Sequence, residues 1–105
     1  MNEVSVKELK QWMDEGKDFQ LIDVREPFEY DICNIGGELI PMNAIPDNIE
    51  KISRDRVVVL QCRSGGRSGQ VLNWLEQNHD FGNLYNLSGG ILAWSDEIDG
   101  SVQKY

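Results

Sequence analysis

Cys62 opens the stretch CRSGGRS, in which Arg63, Ser64, Gly65, Gly66, Arg67 and Ser68 follow it without a break. A thiol is a nucleophile only as thiolate, so the question these residues raise is whether they favour negative charge on the sulfur. Each type does so by a different route. Gly65 and Gly66 can adopt positive φ at little cost, which lets successive backbone N–H groups turn inward as a nest for an anion. Ser64 and Ser68 add hydroxyl donors, and Arg63 and Arg67 add permanent charge. A helix expected to begin near Arg67 aims unpaired N–H groups and the positive end of its dipole back at the sulfur. Together these predict a thiol pKa lowered by one to several units from about 8.5, hence a thiolate at neutral pH. The plain alternative is a small buried cysteine beside a tight turn, as free cysteines often are. A turn, however, needs neither two arginines nor two serines.

Alternating strands and helices surround this loop in the sequence. VVVL (57–60) has no polar alternation, as in a parallel strand covered on both faces. After the loop, Val71, Leu72, Trp74 and Leu75 make an apolar helix face that reaches about Asn78. Near the start, Ser5 and Glu8 form a capping-box pattern at the head of a helix carrying Val6, Leu9, Trp12 and Met13, which Gly16 ends. QLIDV (20–24) reads as a strand, and Pro27 as the opening of a short helix, PFEYDI. Gly36 and Gly37 mark a turn before a brief strand around Leu39 and Ile40, stopped by Pro41. Ile45, Ile49 and Ile52 share one face of a short helix. NLYNL (83–87) is a further strand, and ILAWSDEI (91–98) a last helix just past Gly89 and Gly90. The pattern is that of an α/β domain with a mainly parallel sheet. Ligands of such sheets bind beyond the carboxyl ends of the strands, the edge where Cys62 falls.

A length of 105 residues fits one domain. The net charge of −8 argues against nucleic acid or an anionic membrane as partner, because those surfaces reward positive charge. Yet Lys51, Arg54, Arg56, Arg63 and Arg67 fall in one stretch with Asp55 as its one acid, which offers a local attraction to a small anion. Within it, Arg54 and Arg56 read as ordinary surface charges. Cys33 and Cys62 have no second ligand near them in sequence, giving neither a disulfide framework nor a zinc pattern. No apolar run approaches the roughly 18 residues of a membrane span, and MNEVSVKELK lacks the signature of a signal peptide. The expected setting is cytoplasmic, with both thiols reduced.

CRSGGRS resembles the active-site loop of rhodanese-domain sulfurtransferases, in which a cysteine after the central strand opens a short ring of backbone amides. LIDVREPFEY (21–30) is similar to that family's strand-to-helix segment, LIPMN with Pro41 to its short middle strand, and YNLSGGILAW (85–94) to its C-terminal motif. The resemblance runs in the family's order over about residues 4–98, leaving 99–105 as a short C-terminal tail. It implies a single rhodanese-like domain over residues 1–105, with a mainly parallel five-stranded sheet and helices on both faces. It also implies that Cys62 takes a sulfane sulfur from a small anionic donor such as thiosulfate, becomes a persulfide, and passes the outer sulfur to cyanide, a thiol or a protein acceptor. Arg63 and Arg67 would orient the donor, with Ser64, Gly65, Gly66 and Ser68 completing the substrate contacts. Asp23, Arg25 and Glu26 would form an ion-pair framework beneath the loop. Neither a cofactor nor a metal is implied. The chain departs from the family around residue 34: Cys33, Asn34 and Ile35 stand where a glycine-histidine-isoleucine segment is common, and the connection to Pro41 is about one residue short.

Spacing separates sulfur transfer from phosphoryl transfer on this fold. Cys62 to Arg67 is C-x4-R, whereas related tyrosine phosphatases carry one more residue and so a wider ring. A narrow ring suits a single sulfur atom. The alternative from another class is a persulfide-carrier or regulatory binding module that serves a partner protein. Cys33 reads as a packed thiol rather than a resolving one, and His79 as a solvated side chain. Trp12, Trp74 and Trp94 fall on apolar helix faces and are expected in the core. GGRSG lacks the lysine of a phosphate-binding P-loop.

Overall fold

The computed structural model describes residues 1–105. Its elements run β1 (Glu3–Val4), α1 (Val6–Asp14), β2 (Phe19–Asp23), α2 (Pro27–Ile32), β3 (Glu38–Leu39), two 3₁₀ turns (Met42–Asp47 and Ile49–Lys51), β4 (Val57–Gln61), α3 (Gly66–His79), β5 (Leu84–Leu87) and α4 (Gly90–Glu97). The capping box that opens α1 forms in full: the Glu8 amide donates to Ser5 Oγ and the Ser5 amide to Glu8 Oε1, each at 3.1 Å. Pro27 sits in the first turn of α2, where its missing N–H costs nothing.

The five strands form one sheet in the order β1-β5-β4-β2-β3, and every pairing is parallel. Because side chains alternate across a strand, the unbroken run in β4 serves two cores. Val58 and Leu60 face Val71, Leu72 and Leu75 of α3 together with Ile45 and Ile52 from the 3₁₀ segment. Val59 faces the other way, toward Val6 and Leu9 of α1 and Trp94 of α4. Helices therefore cover both faces, as expected. No helix is long and apolar enough to cross a membrane.

Two local readings change and one strand is added. The two-residue edge strand β1 is too short to show any periodicity in sequence, and it exists because Val4 and Glu3 pair with Leu87 and Asn86 of β5. The helix expected through Ile45, Ile49 and Ile52 is two 3₁₀ turns, since Pro46 inside the first removes a backbone donor. Trp94 is buried, but Trp12 and Trp74 are only half-buried.

Strand order places the chemistry. From β2 the chain crosses to β3 on one side, and from β4 it crosses to β5 on the other, so β2 and β4 are neighbours at which the connections diverge. A crevice at the carboxyl edge of such a pair is the usual ligand position in an open α/β sheet. Cys62 follows β4 at that edge, and Arg25 follows β2.

Candidate active site

The loop between β4 and α3 turns its amides toward the Cys62 sulfur. The Gly65 N–H donates to Sγ at 3.1 Å and the Ser68 N–H at 3.4 Å. This orientation holds because the matching carbonyls are taken elsewhere. The first amides of α4 bind two of them, Ile91 N to Cys62 O at 3.0 Å and Leu92 N to Arg63 O at 3.1 Å. Asn86 Nδ2 binds a third, Gly65 O, at 3.1 Å. Gly65 has φ +108°, a conformation that an L side chain resists, whereas Gly66 has an ordinary φ and is the first residue of α3. Of the two glycines expected to turn left-handed, one does. Gly90 matters as much: its φ is +58°, and a Cβ there would lie 2.5 Å from both the Cys62 and Arg63 carbonyl oxygens.

Cys62 is 1 % exposed. Burial alone pushes its thiol up, but donors at the sulfur, the Ser68 hydroxyl and the amides of Ser68, Gly65 and Ser64, outweigh it and leave the thiol below its ordinary value. The hydroxyl is not free to give its full effect. Ser68 Oγ lies 3.3 Å from Sγ but 2.5 Å from Asn86 Oδ1, and a hydroxyl has one proton. With Asn86 Nδ2 committed to the Gly65 carbonyl, Oδ1 must accept, so the amides are the secure donors to sulfur.

The arginines of the loop have partners of their own. Arg67 Nη1 and Nη2 bind Glu29 Oε1 and Oε2 at 2.6 and 2.8 Å. That bidentate grip holds the Glu29 carboxyl down at about 2. Arg63 is exposed, and its Nε donates to the main-chain oxygen of Tyr105 at 2.7 Å. Beneath them, Asp23 and Arg25 are wholly buried and joined through Nε and Nη2, the latter at 2.7 Å from Oδ2. Glu26 does not join this framework. It is exposed and lends only its backbone to the start of α2, and the carboxylate that turns inward is Glu29, one helical turn on. Arg54 and Arg56 are engaged away from the loop, Arg54 over the Phe81 ring and Arg56 with Asp18. The His79 ring packs against Trp74, with centroids 5.0 Å apart.

A cleft of about 320 Å³ lies between the 3₁₀ segment and α3, lined by residues that include Met42, Ile45, Val71 and Trp74. No residue of the Cys62 loop lines it. The loop itself presents backbone amides and a hydroxyl, rather than apolar side chains, to the Cys62 sulfur.

The family model for the rhodanese-like domain matches residues 5–97. The chain belongs to the rhodanese-like domain family. A sulfurtransferase of Allochromatium vinosum is 40 % identical over 96 residues, covering 90 % of this chain and 89 % of that protein. A probable adenylyltransferase/sulfurtransferase MoeZ of Mycobacterium tuberculosis is 36 % identical over 105 residues; the alignment covers 97 % of this chain but only 26 % of the MoeZ sequence. Among solved structures, a rhodanese-like domain protein from Staphylococcus aureus superposes with a TM-score of 0.84 at 32 % identity, covering 100 % of this chain and 99 % of the other.

Four residues of this rhodanese-like domain reach the site without having been singled out from the sequence for it: Glu29, Asn86, Gly90 and Tyr105. Gly90 carried a signal, since a glycine pair ahead of a helix marks a backbone constraint. Glu29 and Asn86 fall inside LIDVREPFEY and YNLSGGILAW, two of the segments that carry the resemblance, but nothing local marks them as site residues, and Tyr105 carried no signal. Each is an ordinary polar side chain until the sheet brings it beside residues 38, 18 and 76 positions away, respectively.

Proposed function

We propose that this domain is a sulfurtransferase that moves a sulfane sulfur from a small anionic donor such as thiosulfate to a thiophilic acceptor through a persulfide on Cys62. The Cys62 thiolate attacks the outer sulfur of thiosulfate. A new S–S bond forms, the donor's S–S bond breaks, and its electron pair leaves with sulfite. Cyanide, a thiolate or a protein acceptor then attacks the outer sulfur of the persulfide, and the electron pair returns to Cys62. A sulfur already ionised needs no general base. A reducing, cytoplasmic setting would keep Cys62 and Cys33 as thiols between turnovers.

The observation that carries this reading is the inward set of the Gly65 and Ser68 amides on Sγ, with the loop carbonyls tied outward. Amides fixed in that way stabilise an anionic sulfur without reorganising as it forms. Arg63 and Arg67 stand beside the ring to meet an anionic donor, with Ser64 and Gly66 at its exposed rim. The membership of the chain in the rhodanese-like family and the names of its relatives point to the same reaction class. Intact-mass analysis after thiosulfate treatment tests it: one added sulfur atom on the peptide containing Cys62 is expected, and an unmodified peptide would sink the assignment.

The near-complete burial of Cys62 favours one second reading, a persulfide carrier that a partner protein must open or address. Turnover with thiosulfate and cyanide separates the two. Fast thiocyanate formation supports the free enzyme, and a stable persulfide released only to a partner supports the carrier. Phosphoryl transfer is disfavoured by the six-residue C-x4-R ring, which is one residue shorter than the wider ring that suits a tetrahedral phosphate.

A further inference from the structure

Tyr105 joins two ion pairs that are otherwise separate. Its hydroxyl lies 2.8 Å from Arg25 Nη1 and 2.7 Å from Glu29 Oε2. A guanidinium can only donate, so the phenol accepts from Arg25 and must spend its single proton on Glu29. Burial, the first cause, and the neighbouring Glu29 carboxylate outweigh Arg25 and raise the phenol above its ordinary value, so the proton stays on Tyr105. Glu29 is thereby held at both oxygens: Oε1 accepts from Arg67 Nη1 and the Glu26 amide, and Oε2 from Arg67 Nη2 and Tyr105. At the other end of the residue, the main-chain oxygen of Tyr105 accepts from Arg63 Nε and Nη2, and the Arg63 guanidinium lies 5.1 Å from the centre of its ring. One residue thus touches Arg25 and Arg63 directly and Arg67 through Glu29.

We propose that Tyr105 is a positioning residue: by fastening Glu29 it fixes the Arg67 guanidinium beside the Cys62 ring, and so sets the preference of the site for anionic over neutral reagents. An arginine already held in place loses less side-chain freedom when an anion arrives, which tightens binding without changing the chemical step. Arg67 is close enough to Cys62 for a charged sulfur to stabilise its guanidinium, so a displaced Arg67 is felt at the reacting atom. The proposal rests on sulfur transfer for the identity of the anion, but not for the charge preference itself.

The test keeps those two apart. Cys62 is alkylated with iodoacetate and with iodoacetamide, two reagents of similar reactivity that differ in charge, and the ratio of rates is measured for the wild type, Tyr105→Phe, Arg67→Gln and the double variant. Tyr105→Phe keeps the ring and the main-chain oxygen and removes only the hydroxyl. It is expected to lower the ratio about threefold, the scale of a displaced partly exposed charge. In the Arg67→Gln background the same change should have no further effect, because residues acting through one another are not additive. If the wild type turns over thiosulfate, Tyr105→Phe should also raise KM with kcat within about twofold, the pattern of lost uniform binding. An unchanged ratio in Tyr105→Phe overturns the proposal, as does an equal fall with and without Arg67. Failure of thiosulfate turnover in the wild type would count against the free enzyme and leave the alkylation ratios to decide on Tyr105.

Discussion

Asn86 Oδ1 lies 2.5 Å from Ser68 Oγ, nearer than Cys62 Sγ at 3.3 Å, so a residue of β5 holds the hydroxyl that would otherwise serve the sulfur. The stabilisation of a thiolate at Cys62 is therefore assigned to backbone amides, which no side-chain substitution removes.

From this follows a prediction for Ser68→Ala. The Cys62 thiol should stay below its ordinary value, because the Gly65 and Ser68 amides remain. The pH dependence of iodoacetamide alkylation measures it. A thiol that returns to the ordinary cysteine range would show that the hydroxyl, not the ring of amides, sets the thiolate.

Cys62→Ser should abolish sulfur uptake, while Cys33→Ser should leave most of it. Cys33 is half-buried at the end of α2, where its carbonyl accepts from Arg25 Nη2 at 2.7 Å and its sulfur makes only a long contact of 3.9 Å with Nη1. Serine preserves that carbonyl. Mass analysis of both variants after thiosulfate checks the pair, and uptake that survives loss of Cys62 would refute the persulfide site.

Two glycines of the site should differ in what they tolerate. Gly65→Ala meets only ordinary contacts of 3.6 to 3.8 Å but keeps a φ of +108°, so about 1–3 kcal/mol of backbone strain is expected. Gly90→Ala adds to its φ of +58° a Cβ at 2.5 Å from two carbonyl oxygens. Its destabilisation should exceed about 3 kcal/mol, in the range reserved for changes that break backbone packing. Urea unfolding of the two variants gives the comparison, and a Gly90→Ala protein as stable as Gly65→Ala would contradict the fit of α4 against the loop.

Acid should loosen the Glu29–Arg67 tie. The Glu29 carboxyl falls from about 4.5 to about 2 on folding, so its contribution is fully present above pH 4.5 and is lost as pH drops through that window toward 2. Allowing for a partly exposed Arg67, the loss should be on the order of 2 kcal/mol. Glu29→Gln should flatten this part of the stability–pH curve. Unfolding free energies between pH 5 and pH 2 for both proteins decide the point; parallel curves would assign the acid sensitivity to other carboxylates.

Interactions between near neighbours in the chain were legible from the residues alone. The capping box at Ser5 and Glu8, the doubly buried strand at residues 57–60, the cysteine at its carboxyl end and the Gly65 turn all follow from spacings of a few residues, where local geometry permits little choice. Those spacings, with the resemblance of four segments to one family, were enough to place Cys62 in a ring of amides.

What the neighbours of that ring are was decided by the tertiary structure. Glu26 and Glu29 are both acids in the same short helix, and only the packing of α2 beside β2 and α3 turns Glu29 toward Arg67 and leaves Glu26 in solvent. Residues 99–105 looked like a short tail because the family resemblance ends at about residue 98, yet they bring Tyr105 back across the carboxyl edge of the sheet to Arg25, Arg63 and Glu29. A hydrogen bond depends on where two groups lie to within a few tenths of an ångström. Over separations of tens of residues, only strand order and the stacking of helices on the sheet set that distance.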